Sequence, residues 1–478
     1  MSSPSKNILW LSISRVISLV LLFLAYLLLT RYLGPYKYGQ FQFVLSYVTL
    51  FGVIIDFGIQ QYVIKKISED RSQAKRYFQN FFAVEIALST IVYLTMLAVA
   101  YYNQYDADVF KAISIAGFGA AVHGLIYPFL AVITAFYDLK KAALLNFIAS
   151  LINVGMIFLT IATGGGIVML TFQQVIYATI ALVIYYHFIQ KHIGKPEIIS
   201  GLRNLDGKLI RTILKAAIPF ALLVGFSTVY NRIDVILITK FLGYAQTGLY
   251  SAAYKFFDLL AFFPAVVSHA LYPLFATLMM EGKREEIRDI LEKYLRFMAA
   301  IALPIGVGGT LLAIPIIGIL SPEYAEAAPV LAIVVWAPVI LFMYIVVNSL
   351  VISQLTKLAM IITGVNVAIN IIGNIILLPI YGIKGAAVMT LVSEFLQGAF
   401  YFYFVRKKIT KFKFFLLIWK PIIASAIMGV AVWYVRDMLP WPVVVIVGAI
   451  VYTIALFALR FFKKNDAALL KTLLSRAV

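Results

Sequence analysis

The chain has 478 residues, of which 63% are hydrophobic and only 13% are charged, with a mean hydropathy of +0.96. A soluble domain carries about 25% charged residues, so this composition excludes an ordinary soluble enzyme and predicts a polytopic membrane protein. The net charge of +19 fits basic loops on the cytoplasmic side of a membrane and does not require nucleic acid as a partner. The absence of cysteine excludes disulfides, and four histidines without paired spacing argue against a metal site.

About fourteen apolar segments are long enough to cross a bilayer, which takes roughly 20 residues each. They lie at 8–30, 41–64, 77–102, 111–136, 143–163, 167–190, 214–239, 247–275, 296–320, 328–354, 358–380, 385–405, 416–436 and 441–460. With Met1 in the cytoplasm, 31 of the 40 Lys and Arg fall in cytoplasmic segments and six in external loops. This asymmetry predicts a multi-pass protein of the cell membrane with cytoplasmic N- and C-termini.

A short motif occurs twice along the chain. Both Tyr32–Phe41 and Phe241–Tyr250 follow the pattern aromatic-Leu-Gly-x4-Gly-x-aromatic, at an offset of 209 residues. Six predicted spans separate the copies, so the two halves have the same orientation, which predicts a parallel repeat with a substrate path between its halves. The predicted domains are two six-helix bundles, at 1–190 and 214–405, joined by a basic cytoplasmic linker at 191–213. Two extra helices and a cytoplasmic tail follow at 406–478.

Ionisable side chains inside the predicted spans are candidates for function, because they are costly in a bilayer. They are Arg15, Asp56, Glu85, Arg232, Asp234, Lys255, Asp258 and Glu394, with His123 and His269 as weaker members. The three cations are candidate binding residues for an anionic substrate, and the five carboxylates are candidates for ion pairs or for coupling. Other roles than substrate binding stay open for two of the cations. Arg15 could pair with Asp56 or extend to the lipid headgroups, and Lys255 could pair with Asp258 three residues later.

Polar amides also occur within a span. Asn366, Asn370 and Asn374 are spaced by four, which places them on one helix face and favours hydrogen bonds between helices. No nucleotide-binding or nucleophile motif accompanies them. The sequence therefore predicts no catalytic residue, no cofactor and no enzymatic activity.

Several short motifs, taken in order, carry a family resemblance. They are Arg31–Gly39, Asp56–Lys66, Pro219–Phe220, Arg232–Asp234, Gly248–Lys255, Ser321–Tyr324, Tyr381–Ala387 and Glu394. With these motifs the chain resembles the O-antigen-type polysaccharide flippases of the multidrug/oligosaccharidyl-lipid/polysaccharide exporter superfamily. One departure is Tyr36-Lys37, where that family often carries an acidic residue.

The resemblance implies an all-α fold of about fourteen transmembrane helices, with two six-helix bundles around a central cavity. It implies transport of a lipid-linked oligosaccharide from the cytoplasmic to the outer leaflet by alternating access. The cargo would be a polyprenyl-(di)phosphate-linked glycan, whose phosphate would meet Arg15, Arg232 and Lys255. The lipid bilayer and polysaccharide assembly enzymes are the expected partners. Na⁺, H⁺ and the membrane potential all stay open as the driving force.

Other functions remain as alternatives. A cation-coupled multidrug exporter of the same superfamily would use Asp56, Glu85 and Asp234 instead of the cations. A lipid II-type flippase is a second alternative, and the motifs favour it less. A membrane-embedded glycosyltransferase is a third, but it needs a sizeable catalytic loop, and the predicted external loops are short.

Overall fold

The computed structural model describes residues 4–136, 139–195, 205–354 and 356–462, and these ranges contain helices and no strand. In chain order the helices are α1 Pro4–Asp56, α2 Ile59–Glu69, α3 Ala74–Tyr102, α4 Ala107–Gly124, α5 Tyr127–Ala135, α6 Leu139–Thr163, α7 Ile167–Ile193, α8 Gly207–Met280, α9 Arg284–Leu311, α10 Ala313–Gly318, α11 Ala328–Val334, α12 Trp336–Gln354, α13 Thr356–Lys408, α14 Phe414–Val435 and α15 Trp441–Ala458. Ten helical stretches among the described residues are long and apolar enough to cross a membrane. The predicted all-α membrane fold is confirmed.

Three of the helices are too long to be single spans. α1 and α13 have 53 residues each and α8 has 74. A helix of 53 residues extends about 80 Å, against a hydrocarbon core of about 30 Å. Each of the three is interrupted by one glycine with a left-handed φ, of 66° at Gly34, 83° at Gly243 and 58° at Gly382. Since residues with a side chain rarely adopt such angles, each glycine marks a break between two spans.

Side-chain hydrogen bonds indicate that the chain folds back at two of these breaks. Asn366 donates to Gln397 at 2.7 Å and Asn370 donates to Ser393 at 3.1 Å, so two pairs lie symmetrically about Gly382. The hydroxyls of Thr239 and Thr247 lie 2.8 Å apart across Gly243 in the same way. The interhelical hydrogen bonds predicted for the asparagine stripe are therefore confirmed. The full count of fourteen spans stays a prediction.

The chain divides into two compact units, and the first is Trp10–Gly248. In this N-terminal unit α4 packs against α3 and α7, and α2 packs against α5. Its largest core cluster is aromatic and aliphatic, and its fully buried members include Ile59, Phe78, Phe81 and Phe129. This core holds the short helices α2 and α5 in place, although neither is long enough to cross a bilayer alone.

The two copies of the repeated motif touch each other inside the N-terminal unit. A Cβ added at Gly39 would overlap the carbonyl oxygen of Tyr244, and one added at Gly248 would overlap the carbonyl oxygen of Pro35. Pro35 and Tyr244 are equivalent positions of the repeat, as are Gly39 and Gly248. The contact is thus reciprocal, and it requires glycine on both sides because the backbones approach so closely.

The second unit consists of the chain from Leu249 onward together with the N-terminal residues up to Leu9. In this C-terminal unit α9 packs against α12 and α14, and α14 packs against α15. The hydroxyl of Tyr294 donates to the carbonyl of Phe342, and that of Tyr452 donates to the carbonyl of Ala300, each at 2.7 Å. The two extra helices expected at the end of the chain correspond to α14 and α15. The predicted domain boundaries stay a prediction.

Candidate functional site

A polar pocket of about 460 Å³ lies within the N-terminal unit. Its walls come from α1, α4, α5, α7 and α8, and they are Val48, Thr49, Gly52, Val53, Ile55, Asp56, Gly119, Ala120, His123, Tyr127, Gln174, Tyr177, Val224 and Thr228. The carboxylate, imidazole, phenol and amide groups on these walls converge from different helices. This is the composition expected of a binding pocket with a few orienting polar groups.

The position of Asp56 follows from a break in the chain. α1 ends at Asp56, Phe57 and Gly58 have φ angles of 45° and 68°, and α2 begins at Ile59. The backbone N–H of Gln60 donates to the Asp56 carboxylate at 3.4 Å, so the first turn of α2 faces this negative charge. A Cβ at Gly58 would lie 2.6 Å from atoms of both Phe220 and Ala221. Glycine is therefore required here by its φ and by the close approach of α8.

Three aromatic rings form one wall of the polar pocket. The ring centroids of His123 and Tyr127 lie 5.4 Å apart, and those of His123 and Tyr177 lie 5.8 Å apart. The sequence singled out His123 only weakly and did not single out Tyr127, Gln174 or Tyr177. Their helical spacing is that of ordinary apolar spans, so only the packing of α4, α5 and α7 reveals them.

Glu85 lies close to this pocket without lining it. It sits on α3 and is fully buried, and neither carboxylate oxygen has a hydrogen-bond partner among the described residues. The hydropathy pattern predicted an intramembrane carboxylate here, and the structure adds that no side chain in the described part of the chain bonds to it.

The other predicted charges of the N-terminal unit lie on α1 and α8. The side chain of Arg15 is outside the described set, so its alternatives stay open. Asp234 is 7% exposed, whereas Arg232, two residues before it, is more accessible. The different burial fits the expectation that residues two apart on a helix face different surroundings.

In the C-terminal unit the predicted charges have partners. Lys255 forms an ion pair with Asp258 at 3.1 Å, and Asp258 is the more exposed of the two. Glu394 is 2% exposed and accepts a 2.6 Å hydrogen bond from the Tyr344 hydroxyl. No spacing rule could have found Tyr344, because it lies 50 residues away in sequence.

The C-terminal unit also holds an apolar groove of about 450 Å³. It is lined by Phe256, Leu259, Leu260, Pro304, Ile305, Gly308, Gly309, Leu312, Ile316, Leu331, Val335, Met428, Val432, Val445, Gly448, Ala449, Tyr452 and Thr453. These residues come from α8, α9, α10, α11, α14 and α15. Only Tyr452 and Thr453 carry a polar side-chain atom, so the groove suits a hydrocarbon ligand.

Comparison with known sequences extends over almost the whole chain. An uncharacterized membrane protein of Methanocaldococcus jannaschii is 22% identical over 466 residues, covering 91% of this chain and 90% of that protein. Agl15, a probable low-salt glycan biosynthesis flippase of Haloferax volcanii, is 22% identical over 454 residues, or 93% of each chain. AglR, a probable flippase of the same organism, is 26% identical over 168 residues, which is 34% of this chain and 35% of AglR.

Solved structures share the fold. The lipid II flippase MurJ in its inward closed conformation has a TM-score of 0.74 and 17% identity, over 94% of this chain and 98% of MurJ. An inward-facing multidrug resistance MATE family transporter of the MOP superfamily has a TM-score of 0.66 and 14% identity, over 82% of this chain and 94% of that one.

Family models agree with the resemblance drawn from the sequence motifs. The MatE model matches residues 219–376. The model described as polysaccharide biosynthesis protein matches residues 5–279, which is more than half of the chain. The chain therefore belongs to the polysaccharide biosynthesis protein family, within the same superfamily of flippases and exporters.

Proposed function

We propose that the protein is a flippase that moves a lipid-linked oligosaccharide or polysaccharide repeat unit from the cytoplasmic to the outer leaflet by alternating access. The observation that carries this proposal is the presence, in one membrane-embedded chain, of a polar pocket and an apolar groove of nearly equal volume. A lipid-linked glycan has a polar head and a long apolar tail, and each part needs a surface of its own chemistry. No chemical step is required of the protein.

The similarity to Agl15 supports this class of cargo, because it covers 93% of both chains and Agl15 is a probable glycan biosynthesis flippase. In this protein the cargo would be a glycan joined to a polyprenyl chain through a phosphate or diphosphate. The glycan would occupy the polar pocket, where hydroxyl, amide and carboxylate groups can exchange hydrogen bonds with sugar hydroxyls. The polyprenyl tail would lie in the apolar groove.

The phosphate is assigned to the intramembrane cations Arg15, Arg232 and Lys255. A guanidinium offers a planar fork of donors that matches phosphate oxygens. Lys255 forms an ion pair with Asp258, and an arriving phosphate would replace this carboxylate as the acceptor of the Lys255 ammonium group. A membrane potential that is negative inside would favour outward movement of the anion by about 2.3 kcal/mol per charge per 100 mV.

The proposed topology places both termini and the basic connections in the cytoplasm. The cargo is assembled where its sugar donors are, so the polysaccharide assembly enzymes would deliver it from that side. These partners are proposed from the topology and from the cargo class.

A second candidate function is a cation-coupled drug exporter. One observation favours it: the described lining of the polar pocket contains Asp56 and three aromatic rings but neither Lys nor Arg. Such a lining suits a cationic, aromatic ligand. A lipid II-type flippase is the third candidate, and the likeness to MurJ supports it at the level of the fold.

The test is reconstitution of the full chain in liposomes with a fluorescent polyprenyl-diphosphate oligosaccharide. Transfer between leaflets is followed with a membrane-impermeant quencher, with and without an imposed potential. We expect transfer that requires the protein and that falls about tenfold in Arg232→Gln, the size of one lost charged hydrogen bond. Arg436→Gln is the matched control, because Arg436 lies between α14 and α15, beside Asp437.

One result would overturn the proposed function, and a second would overturn the phosphate path assigned to Arg232. The first is an absence of transfer from liposomes that contain folded protein, together with efflux of a cationic dye under a proton or sodium gradient, which would establish the exporter. The second is equal transfer in Arg232→Gln and Arg436→Gln, which would remove Arg232 from the phosphate path.

A further inference from the structure

Basic residues are concentrated where α13 ends and the chain turns into α14. No Asp or Glu occurs between positions 395 and 436. This segment includes five cations within 406–413, which are Arg406, Lys407, Lys408, Lys411 and Lys413. A cytoplasmic location explains why the connection is basic, but it does not explain why some of these cations meet at a cavity.

The turn between α13 and α14 is held in one shape. The backbone N–H groups of Ile409 and Thr410 both donate to the carbonyl of Val405, at 2.9 and 3.0 Å. The side chains of Ile409 and Phe412 are 5% and 3% exposed, and both belong to a hydrophobic core cluster of the C-terminal unit. Lys411 lies between these two anchors, so its backbone is fixed relative to the last turn of α13.

Three of the cations line a pocket of about 450 Å³, which we call the basic pocket. Its lining residues are Ala399, Phe402, Tyr403, Arg406, Lys407 and Lys411. The Lys407 ammonium donates to the Tyr403 hydroxyl at 3.4 Å and lies 5.6 Å from the centroid of the same ring. One part of the pocket is therefore cationic, and the other part consists of a methyl group and two aromatic rings.

The apolar part of the basic pocket continues onto an apolar helix surface. Phe395, Ala399, Phe402 and Arg406 are spaced by four, three and four residues, so they follow one face of α13. Phe395 is exposed on this face, as is Phe415 at the start of α14. The face thus runs from exposed hydrocarbon to a cation at the predicted end of a span. This is the order of groups in a membrane lipid that lies with its headgroup at the bilayer surface.

We propose that the basic pocket binds an anionic phospholipid of the cytoplasmic leaflet. The headgroup phosphate would accept hydrogen bonds from the Arg406 guanidinium and from the ammonium groups of Lys407 and Lys411. The first methylene groups of the acyl chains would lie over Ala399 and Phe402. The site needs no transport and is independent of the proposed function, and only its assignment to the cytoplasmic leaflet rests on the predicted topology.

The lining of the basic pocket favours a phospholipid over the glycan-bearing cargo. A glycan needs several hydrogen-bonding groups that can both donate and accept. The lining contains no carboxylate and no amide side chain, and its one hydroxyl, on Tyr403, already accepts from Lys407. A zwitterionic lipid is disfavoured too, because its own cationic group would meet three protein cations.

Binding can be measured by native mass spectrometry of the purified full chain with phosphatidylglycerol and phosphatidylcholine as probes. We expect phosphatidylglycerol to bind at least tenfold more tightly to wild type. The triple variant Arg406→Gln, Lys407→Gln, Lys411→Gln should lose this preference, since each basic residue near an anionic lipid changes its affinity about fivefold. All three side chains are exposed, so the variant should fold. Equal binding of the two lipids by wild type would overturn the proposal.

The matched control removes the same charge elsewhere. Lys208, Arg211 and Lys215 lie on one exposed face at the start of α8, and they comprise one Arg and two Lys, like the cations of the basic pocket. The corresponding triple Gln variant should keep the preference for phosphatidylglycerol. An equal loss of preference in both triple variants would mean general attraction between a basic protein and anionic lipid, and the proposal would be wrong.

A second variant tests the shape of the basic pocket without a change of charge. Ala399 is exposed on α13, and leucine favours a helix as well as fitting an exposed site. Ala399→Leu should unfold at the wild-type temperature and bind phosphatidylglycerol several-fold more weakly, because the added side chain occupies the place of the acyl chains. Unchanged binding in Ala399→Leu would mean that the charges act without the pocket, which would overturn the proposed site.

Competition distinguishes the phospholipid from other anions. Inorganic pyrophosphate carries the charge without a tail, and a sugar-free polyprenyl diphosphate carries the charge and the tail of the cargo. We expect neither to displace phosphatidylglycerol from wild type at equal concentration. Displacement by pyrophosphate would reduce the basic pocket to an anion site that needs no lipid. Displacement by the polyprenyl diphosphate alone would assign the pocket to the cargo. Either result would overturn the proposal and leave the proposed function standing.

Discussion

The polar pocket and the apolar groove have volumes of about 460 and 450 Å³, yet their linings share almost no chemistry. In the N-terminal unit, side chains from four helices bring a carboxylate, an imidazole, an amide and two phenols to one pocket. In the C-terminal unit, six helices bring two polar side chains to a groove that is otherwise hydrocarbon and glycine. The difference indicates that the two linings favour groups of different chemistry, polar in the N-terminal unit and hydrocarbon in the C-terminal unit.

The different roles of the polar pocket and the apolar groove can be tested by adding side chains at glycines that line them. Gly52 lines the polar pocket and Gly308 lines the apolar groove; a Cβ would meet nothing within 4 Å at Gly52 and only one methyl, at 4.0 Å, at Gly308. A side chain added at either position therefore enters the pocket and not the packed core. Gly39, on the same helix as Gly52, has the opposite character, since its Cβ would overlap the backbone of α8.

The largest effect is expected from Gly39→Ala. The added methyl forces α1 and α8 apart at the reciprocal contact, and overpacking of this kind costs about 2–3 kcal/mol. We expect a clear drop in the thermal unfolding temperature of the detergent-solubilised protein. Gly52→Ala should unfold at or above the wild-type temperature, because alanine favours a helix interior. Equal unfolding temperatures for the two variants would contradict the close contact.

Next in size is the effect of Gly308→Leu on the apolar groove. The leucine occupies space that we assign to the polyprenyl tail, and each displaced methylene group costs about 0.8 kcal/mol of burial. The KM for a long-chain polyprenyl cargo should rise about tenfold, with a smaller rise for a short-chain cargo. A series of cargoes that differ only in chain length measures this. An equal rise for every length would mean that the groove does not hold the tail.

Gly52→Leu should have a smaller and different effect, because sugar binding is shared among many hydrogen bonds. The leucine narrows the polar pocket, so a cargo with several sugars should be transported several-fold less well, and a single-sugar cargo should be affected little. Gly52→Ala serves here as the size control. If the loss of transport in Gly52→Leu depended on the length of the polyprenyl tail and not on the size of the glycan, the polar pocket would not be the site of the glycan.

The smallest effect on stability is expected from a substitution of Asp206, just before the start of α8. Asp206 accepts hydrogen bonds from Arg76 and from the backbone N–H of Leu209, and these hold the pKa of its carboxyl below the usual 3.8. The stabilisation is present above pH 3.8 and is lost as the pH falls through the lowered native pKa. Asp206→Asn should therefore lower the unfolding temperature slightly at neutral pH and not at all in strong acid. A difference that grows in acid would contradict the ion pair.

Hydropathy predicted the spans and the intramembrane charges because both are properties of single segments. The repeat predicted that the two motif copies are equivalent, and the structure adds that the glycines at matching positions, Gly34 and Gly243, both interrupt a helix. The break at Gly382 falls in the predicted connection between the spans 358–380 and 385–405, although its sequence does not repeat the motif around Gly34 and Gly243. The partners of the charges, such as Tyr344 for Glu394, lie on other spans, and helix spacing carries no information about them. For the same reason the sequence did not predict the aromatic wall around His123, nor that Glu85 has no bonded partner among the residues that the structure describes.

The reciprocal approach of Gly39 to Tyr244 and of Gly248 to Pro35 bears on the symmetry of the chain. A contact in which position i of one copy meets position j of the other, and j meets i, is the signature of a two-fold symmetric dimer interface. Here both copies lie in one polypeptide. The contact has the geometry that two identical half-length chains would form about a two-fold axis. Proline and tyrosine occupy the equivalent places, Pro35 and Tyr244, whereas both paired positions are glycine.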